Sequence, residues 1–230
     1  MAETDVKILG TRSSPFVMRS QIALKIKSVD YEFLEENLVK KSILLLQSNP
    51  VHKKVPVLIH GDKLICESLV IIQYIDETWS SGPSILPSDL YDRAVARFWA
   101  NYIDQTWFPS LFALLFTKGE EAKGKAIKQL LAGMELFEDA FKKCSKGKAF
   151  FGGDSIGYID ITLGCFLAWI RVSEKFNGLA ILDTEKTPYL VSWAEKFCAD
   201  STVKEVMPEV DKLAEFAIKL EAHMNASASN

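Results

Sequence analysis

The sequence lacks the features that mark secreted, membrane-spanning and nucleic-acid-binding proteins. Its 230 residues contain 27 Lys and Arg against 30 Asp and Glu, which gives a formal net charge of −3. The basic residues are dispersed, so no positive stripe favours binding to a phosphate backbone. The N-terminus is polar, and no uninterrupted apolar run reaches membrane length. We therefore expect no nucleic-acid partner and no membrane partner.

Cysteine is scarce, and its spacing predicts neither a disulfide nor a metal site. The chain contains only Cys66, Cys144, Cys165 and Cys198. None of them forms the short-spaced pairs that are typical of zinc ligands, and isolated cysteines suit the reducing cytoplasm. We expect a cytoplasmic protein with no metal and no permanently bound cofactor.

Strand and helix patterns divide the chain into two parts, each with a modest core of its own. With 48% hydrophobic residues, the chain has enough apolar side chains to form two modest cores. The order of elements predicts an α/β thioredoxin-like N-terminal domain over 1–79, a linker over 80–90 rich in Ser, Gly and Pro, and an all-α domain over 91–230. The strands of the first domain are predicted at 6–9, 31–35, 57–59 and 64–66, and its helices after Pro15, at 42–47 and up to Trp79.

Ser14 and Pro15 lie between the first predicted strand and the first predicted helix. Serine is a preferred N-cap residue, and proline is favoured at the first helical position. Backbone N–H groups and the positive end of the helix dipole meet there, so an anion or a thiolate beside the Ser14 hydroxyl is stabilised. A cap that only starts a helix is the alternative.

A second motif is the basic turn 49–59, which enters a strand through Val55 and Pro56. Proline cannot donate a hydrogen bond to a strand ladder. A cis Val55–Pro56 bond would turn the backbone of Val55 outward to pair with an extended peptide ligand. Most X–Pro bonds are trans, so the residues alone favour the trans form.

Charged and hydroxyl side chains around this turn could hold the two ends of a small peptide. Ser68 is predicted to be a second N-cap, with Glu67 beside it to accept from an ammonium group. Lys41 and Lys54 supply cations for a carboxylate. Solvated surface lysines are the alternative for both.

Taken together, these residues resemble the glutathione transferase family, and its plant tau class in particular. The similar stretches follow one another in order over nearly the whole chain. They are 14–19, 49–59, 67–68, 86–89, 97–99, 151–154 and 157–161.

The resemblance implies how glutathione would be bound as the co-substrate. It implies that Ser14 donates to the glutathione sulfur and that Pro56 is cis. It also implies that the glycyl carboxylate meets Lys41 and Lys54, the cysteinyl backbone meets Val55, and the γ-glutamyl end meets Glu67 and Ser68.

The resemblance also implies an activity and an assembly. A hydroxyl cannot form a mixed disulfide as a cysteine at this position would, so conjugation or peroxide reduction by bound thiolate is favoured. It further implies a homodimer that detoxifies small hydrophobic or electrophilic molecules during stress. A carrier protein for hydrophobic metabolites or hormones, with little turnover, is the alternative.

The resemblance also implies that the electrophile pocket lies between the domains, although each aromatic side chain there could equally belong to the core. Thr11 and Arg12 depart from the resemblance, because many tau-class members have bulky aromatic residues there. We expect a more open pocket with an added cation, and hence a preference for anionic or polar electrophiles. The candidate wall residues are Thr11, Arg12, Phe16, Phe108, Phe112, Leu115, Trp169, Phe216 and Leu220.

The apolar run 159–170 is predicted to be one buried helix at the centre of the second domain. Asp160 opens it, and its carboxylate can accept from the N–H groups of Gly157 and Tyr158 in a capping box. We therefore expect Asp160 to serve folding, at a cost of about 1 kcal/mol or more when it is replaced by alanine.

Overall fold

The computed structural model of the protein describes residues 5–228. The predicted domains also include 1–4 and 229–230, which lie outside the described residues. Within 5–228 the strands are β1 (Val6–Gly10), β2 (Glu32–Glu35), β3 (Val57–His60) and β4 (Lys63–Cys66). The helices of the same range are α1 (Pro15–Ile26), α2 (Ile43–Ser48), α3 (Ser68–Thr78), α4 (Leu90–Tyr102), α5 (Phe108–Phe116), α6 (Glu120–Ser145), α7 (Tyr158–Gly164), α8 (Leu167–Asn177), α9 (Pro188–Ala199), α10 (Ser201–Lys204) and α11 (Val210–Ala228).

The four strands form one mixed sheet in the order β2-β1-β3-β4. β1 runs parallel to β2 and antiparallel to β3, and β3 pairs with β4 as a hairpin. The helices α1 and α3 pack against each other, and each also contacts a strand. This arrangement, followed by helices alone, confirms the predicted thioredoxin-like domain and all-α domain.

The hydrophobic core does not divide between the two domains as expected. One cluster of buried side chains runs from Val6 in β1 to Ala217 in α11 and includes residues of both domains. A small separate cluster beneath α2 contains only three fully buried side chains, those of Leu9, Leu45 and Val57. The two domains therefore share most of their buried surface.

The segment between α3 and α4, which the sequence predicts as a linker, is held by hydrogen bonds. The carboxylate of Asp76 accepts from the N–H groups of Ile85 and Leu86, each at 2.9 Å. It also pairs at 2.7 Å with Lys27, whose side chain is buried. The division at residues 80–90 stays a prediction.

The single buried helix predicted over 159–170 is wrong in one respect. Every residue of this run is buried, but the helix breaks at Cys165 and Phe166 into α7 and α8. The N–H of Phe166 donates to the carbonyl of Leu163 at 3.0 Å, so the last turn of α7 tightens and the chain changes direction.

No helix in the described range is long and apolar enough to cross a membrane.

Asp160 caps α7, with one partner different from the prediction. Its carboxylate accepts from the N–H of Gly157 at 2.9 Å, as expected of a capping box. The N–H of Tyr158 donates instead to the carbonyl of Ile85, because the linker segment passes directly beside the start of the helix.

The carboxylate of Asp160 is fully buried and takes three further donors. These are the backbone N–H groups of Phe151 and Gly152, both at 2.8 Å, and Nε1 of Trp193 at 2.7 Å. Burial raises the pKa of Asp160 to about 6, and the four donors act against that rise because they stabilise the ionised form. One carboxylate thus joins the loop before α7, the start of α7 and the helix α9.

Candidate active site

Ser14 lies on a turn that the end of β1 and the start of α1 hold in place. Gly10 ends β1 so close to α1 that a side chain there would lie 2.6 Å from the Val17 methyl group. The N–H of Ser14 donates to the carbonyl of Thr11, which closes the turn. Pro15 then occupies the first helical position, as predicted.

The hydroxyl of Ser14 is free to donate a hydrogen bond. It accepts only weakly, at 3.4 Å, from the N–H of Val17, and the residue is half-buried. No acceptor for its proton occurs among the residues that the structure describes. The hydroxyl therefore stands at a helix N-terminus with its proton available to an anion.

The helical domain fixes the same turn from the other side. Nε1 of Trp169 in α8 donates to the carbonyl of Ser13 at 3.0 Å. The indole of Trp169 consequently lies next to the residue that precedes Ser14.

The predicted glutathione residues meet in one cleft of about 410 Å³. Five of the six line it together, and the Val55–Pro56 bond is cis, as the resemblance implies. Lys41 does not line the cleft and lies exposed just before α2. The residues that line the cleft are Phe16, Asn49, Lys54, Val55, Pro56, Glu67, Ser68, Leu69, Asp104, Gln105 and Phe108.

Asn49 holds the loop that presents Lys54 to the cleft. This residue is buried at the C-terminus of α2, and its Nδ2 donates to the carbonyl of Lys54 at 3.0 Å. Its Oδ1 accepts from the N–H of His52, also at 3.0 Å. The side chain of Asn49 therefore holds two points of the loop, at His52 and Lys54, a role that the sequence analysis missed.

Ser68 is not the N-cap of α3, as the sequence predicted, but its first residue. Glu67 occupies the position before it with φ at 70°, and its exposed carboxylate lies 3.8 Å from Nε2 of His52. The buried hydroxyl of Ser68 accepts from Nη1 of Arg19 at 3.0 Å. Ser68 is not the cap because Glu67 takes the N-cap position, and the hydroxyl of Ser68 serves the contact with Arg19.

Arg19 connects the cleft to the helical domain, and the sequence analysis missed it. Its guanidinium is fully buried and pairs with Asp104 through two bonds of 2.9 and 2.6 Å. It also donates to the carbonyl of Thr162 and lies over the rings of Phe16 and Phe166. Arg19 lies three and four residues before Ile22 and Ala23, which places it on the same inward face of α1. That spacing could have identified it, because a buried arginine needs a partner.

Asp104 reaches this guanidinium from a π-helical turn, Ile103–Trp107, that joins α4 to α5. Such turns are rare and occur often at functional sites. The turn places Asp104, Gln105 and Phe108 on the cleft wall. The cleft is therefore built by both domains.

The aromatic candidates for the electrophile pocket form a continuous row beside the Ser14 turn. Starting at Phe16 of α1, neighbouring ring centroids lie 4.8 to 6.4 Å apart. Phe116, which the sequence analysis did not select, completes the row. In order, the rings are Phe16, Phe108, Phe112, Phe116, Trp169 and Phe216.

The four other candidates for that pocket lie around this row or away from it. Thr11 is half-buried on the Ser14 turn, Leu115 packs against the main core, and Leu220 is half-buried one turn after Phe216. Arg12 lies on the same turn, but its side chain is directed elsewhere: its Nε is 3.4 Å from the carboxylate of Glu35, and its guanidinium covers the ring of Phe33. Since Glu35 offsets this charge, the placement does not support the expected preference for anionic electrophiles.

The cysteines of the described residues provide no thiolate of their own. All four are free thiols, and burial is the main cause that raises the pKa of each. The neighbouring carboxylate of Glu67 raises the pKa of Cys66 further. Within residues 5–228 no group of three or more His, Cys, Asp and Glu side chains could hold a metal ion.

The chain matches one protein family in both of its parts: in the thioredoxin-like domain with its cis-proline cleft, and in the all-α domain. The family described as "Glutathione S-transferase, N-terminal domain" matches residues 4–77. The family described as "Glutathione S-transferase, C-terminal domain" matches residues 89–196. The chain therefore belongs to the glutathione S-transferase family.

Individual relatives place the chain in the tau class. It is 62% identical to "Glutathione S-transferase U17" of Arabidopsis thaliana, over 96% of this chain and 97% of that protein. A crystallographic structure of the tau-class glutathione S-transferase from mango, Mangifera indica, is also 62% identical and superposes with a TM-score of 0.92, covering 96% of this chain and 100% of the other. A rice glutathione S-transferase in complex with glutathione is 34% identical, with a TM-score of 0.87 over 96% and 99% of the two chains.

Proposed function

We propose that this glutathione S-transferase ionises the glutathione thiol at Ser14 and adds it to electrophilic small molecules. The observation that supports this most is the arrangement of Val55, Glu67 and Ser68 in one cleft, with the Ser14 hydroxyl on the adjoining turn. The solved rice relative that contains glutathione supports the choice of ligand.

The three parts of glutathione match three parts of the cleft. Glu67 and the N-terminus of α3 suit the γ-glutamyl end, with its ammonium and carboxylate. The backbone of Val55, turned outward before Pro56, suits the cysteinyl peptide groups. Lys54, with Lys41 reaching from outside the cleft, suits the glycyl carboxylate.

We propose that the sulfur then lies at Ser14, which does not itself line the cleft but precedes the lining residue Phe16 by two positions. A charge-assisted hydrogen bond contributes about 1.5–3 kcal/mol, which lowers a thiol pKa near 8.5 by roughly one to two units. The larger of these shifts makes thiolate the main form at neutral pH, and the smaller one already raises the thiolate fraction several-fold. Because thiolate is already a strong nucleophile, the protein needs only to hold an electrophile near it.

The aromatic row supports an electrophile site beside the sulfur. Phe16 and Phe108 belong both to this row and to the wall of the glutathione cleft. An apolar molecule against these rings would face a thiolate held at Ser14. The same thiolate can attack the O–O bond of a hydroperoxide, which releases the alcohol and leaves a glutathione sulfenic acid; a second glutathione then gives glutathione disulfide and water. We therefore propose peroxide reduction as a second activity.

Ultraviolet titration of glutathione bound to the protein tests the role of Ser14. We expect the thiolate absorbance of the parent to rise at a pH at least one unit lower than that of free glutathione. Ser14→Ala should lose this shift and slow conjugation at least tenfold. Ser13→Ala is the matched control, because it removes the neighbouring hydroxyl while the carbonyl that meets Trp169 remains.

Two results would contradict the serine mechanism. One is an alanine variant at position 14 that titrates and reacts like the parent. The other is an equal loss in both serine variants. A parent that binds hydrophobic ligands but turns over no electrophile or peroxide would instead support the carrier function.

We also propose that the protein is a homodimer. Large apolar side chains are exposed on adjoining elements of the two domains, and Arg97 of α4 donates to Gln73 of α3 between them. These side chains are Leu64, Val70, Leu90, Tyr91 and Phe98. Light scattering should give the mass of a dimer for the parent and of a monomer for Phe98→Glu, whereas a monomeric parent would refute the proposal.

Finally, we propose a cytoplasmic role in detoxification during stress. The four free cysteines suit a reducing compartment. Family membership supports the chemistry of such a role. A fluorescent fusion expressed in plant cells tests the location.

A further inference from the structure

The segment around α2 exposes an unusual number of aliphatic side chains. Val39 and Ile43 are 71% and 73% exposed, and Leu38, Leu44 and Leu46 are between 39% and 45% exposed. We call residues 37–54 the α2 surface. Neither the cleft nor the aromatic row uses these five side chains.

The α2 surface is also positively charged. No aspartate or glutamate occurs between residues 37 and 61, whereas the same stretch contains four lysines. All four lysines are exposed, and no carboxylate of a described residue lies within ion-pair distance of them. They are Lys40, Lys41, Lys53 and Lys54. Lys41 and Lys54 have a proposed role toward glutathione, but Lys40 and Lys53 have none.

Hydrogen bonds hold the aliphatic side chains outward. The carboxamide of Asn37 accepts from the N–H groups of Val39 and Lys40 at 2.9 and 3.1 Å. The buried carboxylate of Glu36 accepts from the N–H and the hydroxyl of Ser42, which caps α2. The exposure of the apolar side chains is therefore built into the local structure.

The composition of the α2 surface distinguishes between possible partners. Centres of protein interfaces are enriched in tyrosine, tryptophan and arginine, as the exposed face of α4 with Tyr91, Phe98 and Arg97 is. The α2 surface contains none of these residues. Aliphatic side chains flanked by lysines are instead typical of segments that enter the headgroup region of an anionic bilayer.

We propose that the α2 surface binds reversibly to the surface of membranes that contain anionic lipids. The aliphatic side chains enter the boundary between headgroups and acyl chains, and the lysines pair with lipid phosphates and carboxylates. This differs from the expectation of no membrane partner, which came from the lack of a spanning segment; contact with the surface needs none. The proposal does not depend on the chemistry at Ser14.

Cosedimentation with vesicles tests the proposal on the full chain. The vesicles contain phosphatidylcholine with 30% phosphatidylserine, or phosphatidylcholine alone. We expect binding to the anionic vesicles at 50 mM salt, at least tenfold weaker binding to the neutral ones, and progressive loss as salt is raised.

Two pairs of substitutions separate the apolar and charged contributions. Ile43→Glu with Leu44→Glu, and separately Lys40→Glu with Lys53→Glu, should each weaken binding at least tenfold. Glutamate is compatible with the first turn of a helix, so α2 should remain folded. Leu136→Glu on α6 is the control, because Leu136 is 48% exposed and lies outside the α2 surface.

Three results would overturn the proposal. The proposal is wrong if the parent does not sediment with anionic vesicles, or if the control loses binding as much as the α2 variants. It is also wrong if the α2 substitutions change only the oligomeric mass in light scattering, since the surface would then bind a second copy of the chain.

Discussion

At the scale of single residues, the two lysines proposed for the glycyl carboxylate differ in position. Lys54 lines the cleft, and Asn49 holds its carbonyl through a bond of 3.0 Å. Lys41 lies exposed on the segment that leads into α2 and outside the cleft lining. A lysine whose backbone is already fixed beside the cleft needs less ordering on binding than one that must reach in from outside.

We therefore expect Lys54→Ala to raise the KM for glutathione more than Lys41→Ala does. A charge-assisted bond at a partly exposed site contributes about 1 kcal/mol, roughly a fivefold change, and we expect half of this or less for Lys41. Steady-state kinetics with varied glutathione and a fixed electrophile measure both. Equal effects on KM, or a main effect on kcat, would contradict the assignment.

At the scale of elements, Asp160 organises the start of α7. Its buried carboxylate accepts from three backbone N–H groups and the indole of Trp193. Its oxygens therefore satisfy donors from three segments that would otherwise be buried without partners. Such donors cost about 1–3 kcal/mol each when the acceptor is removed.

Asp160→Ala should accordingly lower the free energy of unfolding by at least about 3 kcal/mol. Urea unfolding followed by tryptophan fluorescence measures it. Asp154→Ala on the preceding loop is the control, with an expected change within about 0.5 kcal/mol because its pair with Lys148 is exposed. Folded Asp160→Ala should retain normal kcat, and a stable but inactive variant would show that this residue acts in catalysis.

At the scale of the whole molecule, Arg19 joins the two domains. Its guanidinium contacts Ser68 within the first domain and reaches Asp104 and Thr162 of the second. Removal of one partner from a buried ion pair costs about 3–5 kcal/mol, because the other charge is left buried. The geometry of the cleft and the stability of the fold thus depend on the same group.

A double-mutant cycle with Arg19→Ala and Asp104→Ala should give a coupling energy of at least about 2 kcal/mol in urea unfolding. The pair Lys25 and Glu205 also spans the domains but is largely exposed. Its cycle should give less than about 1 kcal/mol. Similar coupling in both cycles would mean that burial does not strengthen the Arg19 pair.

The sequence by itself determined the local features. Ser14 as a helix cap, the four strands and the turn before Pro56 follow from capping preferences, periodicity and proline stereochemistry, which act over a few residues. These features sufficed for the thioredoxin-like fold, whereas the roles of the cleft residues and the cis form of Pro56 came from the resemblance to a family.

Only the tertiary structure decided which distant groups meet. Asp104 lies 85 residues from Arg19, and Trp193 lies 33 residues from Asp160. Whether such groups meet depends on how helices pack, and no local preference encodes it. The same reason explains why the hydroxyl of Ser68 contacts Arg19, why Arg12 pairs with Glu35, and why the run 159–170 breaks into two helices.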